Sequence, residues 1–255
     1  RLYTDELPEL LKSFPPARTV PAMRTPEGSV VPDTIAIAEE LATRHPDAGL
    51  WPAEPQARAT ARALAAEMHA GFTALRSHCP MNLRVSYQDC APPPEVLADL
   101  ARLEALWSWA RATTGSQTPW LCGAYSAADA FFAPVAARIA GYNLPVGAEA
   151  MVYVNAHLSH PSFRRWRAMG MVDGAEQAFY RRDWPRRDWP GPRPLAARPV
   201  EGTAAENAAC PYSGQPVTHV LDLAGRRFGF CNAFCRDKTV ADPEAWPKFM
   251  ALYRN

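Results

Sequence analysis

The sequence predicts an α+β protein that is mostly α and ends in a small ββα module. Three observations carry this. Alanine-rich segments with apolar residues three or four apart recur between residues 54 and 169, the period of helices that bury one stripe. Short β-prone runs fall only towards the two ends, at 20–23 and 30–31 and again at 217–223 and 226–230. The last 46 residues hold three of the six cysteines, spaced C-x20-C-x3-C.

Taken in order, residues 5–14 (DELPELLKSF) form a short helix, and FPPARTVPAM leads into a strand at 20–23. Pro26-Glu27-Gly28-Ser29 makes a turn, and Val30-Val31 pairs back as the second arm of a hairpin. Asp33 or Thr34 then caps the helix IAIAEELATRH, because a short side-chain oxygen can accept the first free amides of a helix. Residues 54–79 read as one helix with Met68, Phe72 and Leu75 on one stripe. Another spans 94–113, with Val96, Leu100, Leu103, Leu106, Trp107 and Ala110 as its core face. Further helices follow at 126–140, 147–158 and 161–169, and Ser126 with Asp129 forms an S-x-x-D capping box. Helices joined by short loops make an all-α body.

Residues 181–209 break this pattern. RRDWP occurs twice in succession, and the segment holds five prolines but few apolar residues. It reads as a semi-rigid linker, or a strap over the helical body. Its arginines alternate with Asp183 and Asp188, which argues against a nucleic-acid patch. A net charge of +1 agrees. The chain contains no run of about 18 apolar residues, so no transmembrane helix is expected. The opening RLYTDELPELL lacks the basic, apolar and small-residue regions of a signal peptide. Cys79, Cys90 and Cys122 are scattered and read as free thiols in a reducing, cytoplasmic compartment.

In the tail, Cys231 and Cys235 lie in one knuckle, FGFCNAFC, and Cys210 precedes a hairpin whose strands join at Ala224-Gly225. Three thiolates from a knuckle and a distant strand suit a tetrahedral site for a soft or borderline metal, with zinc a candidate. A closed zinc site needs a fourth ligand, and His219 and Asp237 are the nearest candidates; water or a substrate is another way to fill the position. The same trio also reads as buried reduced cysteines, and a Cys231–Cys235 pair could serve redox sensing. The helix in DPEAWPKFMALY should lay Trp246, Phe249 and Leu252 over the hairpin.

Several segments carry a resemblance. FPPARTVPAM resembles the S-P-x-G-x-V-P-x-L segment of the cytosolic glutathione transferases. VVPDTIAIAEELATRHPDAGLWP resembles their [ED]-S-x-x-I helix, and LCGAYSAADAFFAPVAARI the G-x-x-[ST]-x-A-D start of their central helix. The likeness covers about residues 1–170. It implies a truncated thioredoxin-like domain at 1–46 and an all-α glutathione transferase C-terminal domain at 47–180. A linker at 181–209 and a metal-binding module at 210–255 follow, the latter resembling YHS and TRASH modules.

The resemblance also implies site residues. Val20 and Pro21, joined by a cis peptide bond, would pair with glutathione by backbone, and Asp33 and Thr34 would meet its γ-glutamyl end. Met68, His69, Phe72 and Arg84 are candidates for the second-substrate pocket. Met68 and Phe72 read equally as core, and His69 as an ordinary satisfied histidine. The family's strand–helix–strand opening, with the Tyr, Ser or Cys that activates the thiol, is missing from this sequence, so the catalytic residue is expected upstream. The implied function is transfer of the glutathione thiolate to a small electrophile, or a glutathione-assisted isomerisation, by a homodimer. The competing reading is a non-catalytic scaffold with a zinc-binding or redox- or metal-sensing tail. Neither reading calls for a membrane or nucleic acid.

Overall fold

The computed structural model describes residues 5–255 and divides the chain into two compact units. The first takes residues up to 72 together with 102–132; the second takes 73–101 and 133–255. Two long helices run from one unit into the other.

In the first unit, α1 (Glu6–Leu11) precedes β1 (Met23–Arg24) and β2 (Val30–Val31), an antiparallel pair in the register Met23↔Val31 and Arg24↔Val30. Gly28 closes the turn at φ +94°, a conformation that suits a residue without Cβ. The first strand starts later than the expected 20–23, since Val20 and Pro21 fall before the ladder and proline has no amide to give it. α2 (Thr34–Arg44) and α3 (Pro55–Ala70) follow. Glu54 caps α3 by accepting from the amides of Gln56 and Ala57 at 2.9 and 2.6 Å, and Pro55 occupies the first turn, where its missing amide costs nothing. Ala57, Ala61, Leu64, Ala65 and Met68 form the buried face of α3.

The single helix expected over 54–79 is two helices. α3 stops at Gly71, whose backbone is extended, and Phe72 adopts φ +59° before α4 (Thr73–His78) begins. A side chain at Gly71 would meet the Glu67 carbonyl at 2.8 Å, so the chain turns where only glycine fits.

α5 (Pro94–Thr114) buries all six residues of its expected core face. Trp107 packs edge-on against Phe132 of α6 (Ala127–Tyr142), ring centroids 5.7 Å apart. The capping box at the start of α6 is present: Asp129, fully buried, accepts from the Ser126 amide at 2.9 Å and from the Leu121 amide at 3.2 Å.

In the second unit, β3 (Ser86–Tyr87), α7 (Ala148–Ser159) and α8 (Pro161–Val172) lead to β4 (Arg186–Arg187), which pairs with β3. This pairing lays the RRDWP repeat across helical residues, as a strap. Arg187 donates to Ser86 Oγ at 3.1 Å and to the Ala140 carbonyl at 2.8 Å, and Trp184 meets Tyr87 at 5.5 Å. The rest of the proline-rich stretch is not all connector. β5 (Ala197–Val200) is the edge of a three-stranded sheet with β6 (His219–Leu223) and β7 (Arg226–Phe230). Pro199 is tolerated there because an edge strand has one side of its backbone unladdered. Ala224 and Gly225, at φ +55° and +82°, make the tight turn between β6 and β7, the conformation that matches the twist of a hairpin.

α9 (Ala233–Ala241) and α10 (Pro247–Arg254) close the sheet. Leu221, Phe228, Phe230, Trp246 and Phe249 make one core, with Leu252 against it and Ala168 of α8 inside it. The tail thus completes its core with a neighbouring helix. Arg164 of α8 grips Asp242 through both carboxylate oxygens at 2.6 and 2.7 Å, with the two side chains 17% and 9% exposed. Among the described residues no helix is long and apolar enough to cross a membrane.

Arg164→Ala should lower unfolding stability in urea by about 3–5 kcal/mol, since it leaves a buried carboxylate uncompensated. Arg102→Ala, at the exposed pair with Glu67, should cost about 0–1 kcal/mol; equal effects would refute the distinction. A pH effect follows from His157, fully buried on α7, whose ring is lowered to about 3 by burial and then by the charge of His160. The unfolded chain takes up this proton below about 6.5 and the native chain does not. Stability should therefore decline as pH falls from there towards 3, and His157→Leu should flatten the melting temperature over that window.

Candidate functional site

Each unit carries one group of candidate residues. In the first, the Val20–Pro21 peptide is cis and Val20 is 42% exposed, ahead of the hairpin that leads to α2. Asp33 caps α2: its Oδ1 accepts from the amides of Ile35 and Ala36 at 2.8 and 3.1 Å. Its Oδ2 lies 3.1 Å from His69 Nε2. The Ala36 amide, with lesser help from the Ile35 amide and His69, holds the Asp33 carboxyl below its ordinary value against the opposing effect of burial. Thr34 is the first residue of α2 and is half-buried.

The structure therefore brings His69, picked out as a pocket candidate, onto Asp33, picked out for the γ-glutamyl end. The His69 ring also stands edge-on to Phe131 at 6.5 Å. Met68 and Phe72 are 5% and 6% exposed, so their side chains pack in the core of this unit. Arg84 lies in the second unit, where its guanidinium donates to the carbonyls of Gly170, Asp173 and Gly174 at 2.9, 3.0 and 2.7 Å. Those carbonyls end α8, so Arg84 acts as a C-terminal clamp.

In the second unit, the sulfurs of Cys210, Cys231 and Cys235 all lie within 4.8 Å of one another. Cys210 opens the turn CPYSG, in which the Gly214 amide donates to the Cys210 carbonyl at 2.9 Å and Gly214 sits at φ +71°. Burial pushes the Cys210 thiol up, but the backbone amides of Cys231, Tyr212 and Ser213 outweigh it and bring the thiol down to about 7. Cys235 starts the first turn of α9, where Asn232 Oδ1 accepts its amide at 2.8 Å. Burial and then the charge of Cys210 push that thiol up to about 11. One sulfur of the trio is thus poised as a thiolate near neutrality.

Neither expected fourth ligand joins this group. His219 Nδ1 is 2.8 Å from Thr218 Oγ1, and Asp237 pairs with Arg236 at 2.7 Å. The polar atoms beside the sulfurs are others: Ser213 Oγ and Asn232 Nδ2 donate to Cys231 Sγ at 3.2 and 3.3 Å. Ser213 stands in the same turn as Cys210, and its position was readable in the string CPYSG.

A second sulfur cluster had no sequence signal. His78, Cys79 and Cys90 converge, their donor atoms within 4.8 Å. Cys79 and Cys90 are eleven positions apart, a spacing that follows no ligand pattern.

No protein-family model matches the chain, and no curated protein matches it. Among solved structures, the chain is similar to a glutathione transferase homologue from Burkholderia with bound glutathione. The two share 24% identity over 58% of this chain and 71% of the other, at a TM-score of 0.41. It is also similar to a glutathione S-transferase from Rhodospirillum rubrum F11, with 21% identity over 67% and 77% and a TM-score of 0.47. A third is a glutathione transferase homologue from Sulfitobacter with bound glutathione, with 20% identity over 65% and 80% and a TM-score of 0.46.

Asp33→Ala should lower stability by about 1 kcal/mol by removing the cap of α2, and Asp33→Asn should keep most of it because one oxygen remains as acceptor. Chemical denaturation of the two variants checks this; equal losses would show that the charge, not the cap, matters.

Proposed function

We propose that this protein binds glutathione through its first unit and works as a glutathione transferase, adding the thiolate to a small electrophile or using it in an isomerisation. The observation that carries the reading is the hairpin followed by an Asp33-capped helix. There an exposed carboxylate stands at a helix N-terminus beside His69. Such a place can receive both ends of an amino acid: the carboxylate meets an ammonium, and the Thr34 hydroxyl at the positive end of α2 receives a carboxylate. The sequence motifs around Val20–Pro21, Asp33–Thr34 and 121–139 support the same assignment. In this reading Val20 offers its backbone to the cysteinyl part of the ligand, like an added strand. His69 orients the Asp33 carboxylate. The group that activates the thiol is none of these residues. The protein would act in the cytoplasm as a homodimer.

The three-sulfur cluster favours a second role, a metal-binding tail on a transferase-like scaffold. The cysteines would hold a soft or borderline ion such as zinc, which polarises or fixes what it binds. Ser213 Oγ lies 3.2 Å from Cys231 Sγ, so a cysteine at that position would offer a fourth thiolate.

Glutathione binding by calorimetry tests the first role. The protein should bind, and Asp33→Asn should bind at least about tenfold more weakly, a loss of about 1.4 kcal/mol, without unfolding. No binding by the parent protein would refute the transferase reading. For the tail, Ser213→Cys should tighten zinc binding against a chromogenic chelator, and Cys231→Ser should weaken it. Unchanged affinity in both would remove the metal role.

A further inference from the structure

We propose that His78, Cys79 and Cys90 form a second thiophilic metal site, distinct from the tail and built for Cu(I). The donor set is two sulfurs and one imidazole nitrogen, all within 4.8 Å of one another. Ligand atoms that share one ion stand about 2.0–2.3 Å from it and so no more than about twice that apart. No carboxylate belongs to the group, which sets it apart from a calcium or magnesium site.

The fold holds these donors in place. His78 ends α4 and Cys79 follows it, its amide still bound to the Leu75 carbonyl at 3.0 Å. Cys90 comes from a loop in which Asp89 Oδ1 accepts the Ala91 amide at 2.8 Å and Ala91 sits at φ +43°. Neighbouring side chains pin both segments. Arg138 Nε donates to the Cys79 carbonyl at 2.8 Å, Tyr142 to that of Pro80 at 2.6 Å, and Asn143 to that of Gln88 at 2.6 Å. His78 Nε2 lies 3.4 Å from the Cys90 carbonyl, and its ring packs against Trp184 at 5.6 Å. The tautomer sets which ring nitrogen turns to that carbonyl, and the other is left as the ligand. A hydrogen bond from the second ring nitrogen is the usual way to fix a metal-binding histidine.

Charge and burial choose the ion. Cys79 and Cys90 are 0% and 3% exposed. Arg138, 9% exposed, faces Cys79, Tyr142, Tyr180 and the like charge of Arg76, with no carboxylate among them. A buried cation without an anion is costly. Two thiolates around one monovalent ion leave a single negative charge, which Arg138 and Arg182 offset on the Cys79 side while Asp89 opposes it beside Cys90. Zinc in a closed site takes four ligands, and this one offers three, two of them buried. Soft sulfur donors at low coordination number suit Cu(I). Binding exchanges two thiol protons, released to solvent, for one copper ion, with no change in oxidation state.

The test uses the full chain with Cys210, Cys231 and Cys235 changed to Ser, reduced and kept anaerobic, titrated with Cu(I) against a chromogenic Cu(I) chelator. One Cu(I) per chain should remain bound, with X-ray absorption showing two sulfurs and one nitrogen. Adding Cys79→Ser or Cys90→Ser should abolish it. Should either variant unfold, His78→Ala, at a half-buried position, keeps the test open and should weaken binding at least about tenfold, the lower end of losses seen when metal-site partners are removed. A folded tail variant that takes no Cu(I), or retention of copper after Cys79→Ser, would overturn the site. Because the tail cysteines are already gone, neither result bears on the tail or on glutathione binding.

Discussion

Arg164 holds both oxygens of Asp242 in a nearly dry setting, and the second unit depends on that pair. The cysteine tail is too small to bury a core of its own, and a small segment gains little from hydrophobic burial alone. It borrows Ala168 from α8 and turns its aromatic face there. An ion pair adds direction to what apolar packing leaves loose. Asp242 also accepts the Ala245 amide at 3.2 Å, so one carboxylate both holds α8 and fixes the turn after α9. Because α9 begins at the cysteine knuckle, the placement of Cys235 depends on how that helix is seated.

Asp33 shows how one carboxylate can serve two partners. Capping uses one oxygen and leaves the other for His69. Met68 and Phe72 show the opposite outcome, since their burial leaves them to the core. Arg84 had the chemistry of an anion receptor, but three carbonyls at the end of α8 hold its guanidinium.

The six cysteines fall into environments that sequence spacing distinguishes only in part. The tail trio was legible because its knuckle and hairpin are local: Cys231 and Cys235 flank a helix start, and the turn at Ala224-Gly225 returns the chain beside Cys210. Cys79 and Cys90 looked like isolated thiols. They meet because α6 pins the loop between them through Arg138 and Tyr142, a long-range arrangement with no periodic trace.

Local patterns by themselves determined the helices, their caps and the tail hairpin. The core face of α5, the Asp33 and Asp129 caps and the turn at Ala224-Gly225 depend on interactions within a few residues, where side-chain type and spacing decide the outcome. Tertiary structure alone decided the recruitment of Ala197–Val200 as an edge strand, the seat of the tail on α8 and the meeting of Cys79 with Cys90. Each depends on a partner far away in the chain. A proline-rich segment becomes a strand only when β6 offers its backbone, and two scattered thiols become a pair only when a helix from elsewhere closes the loop between them.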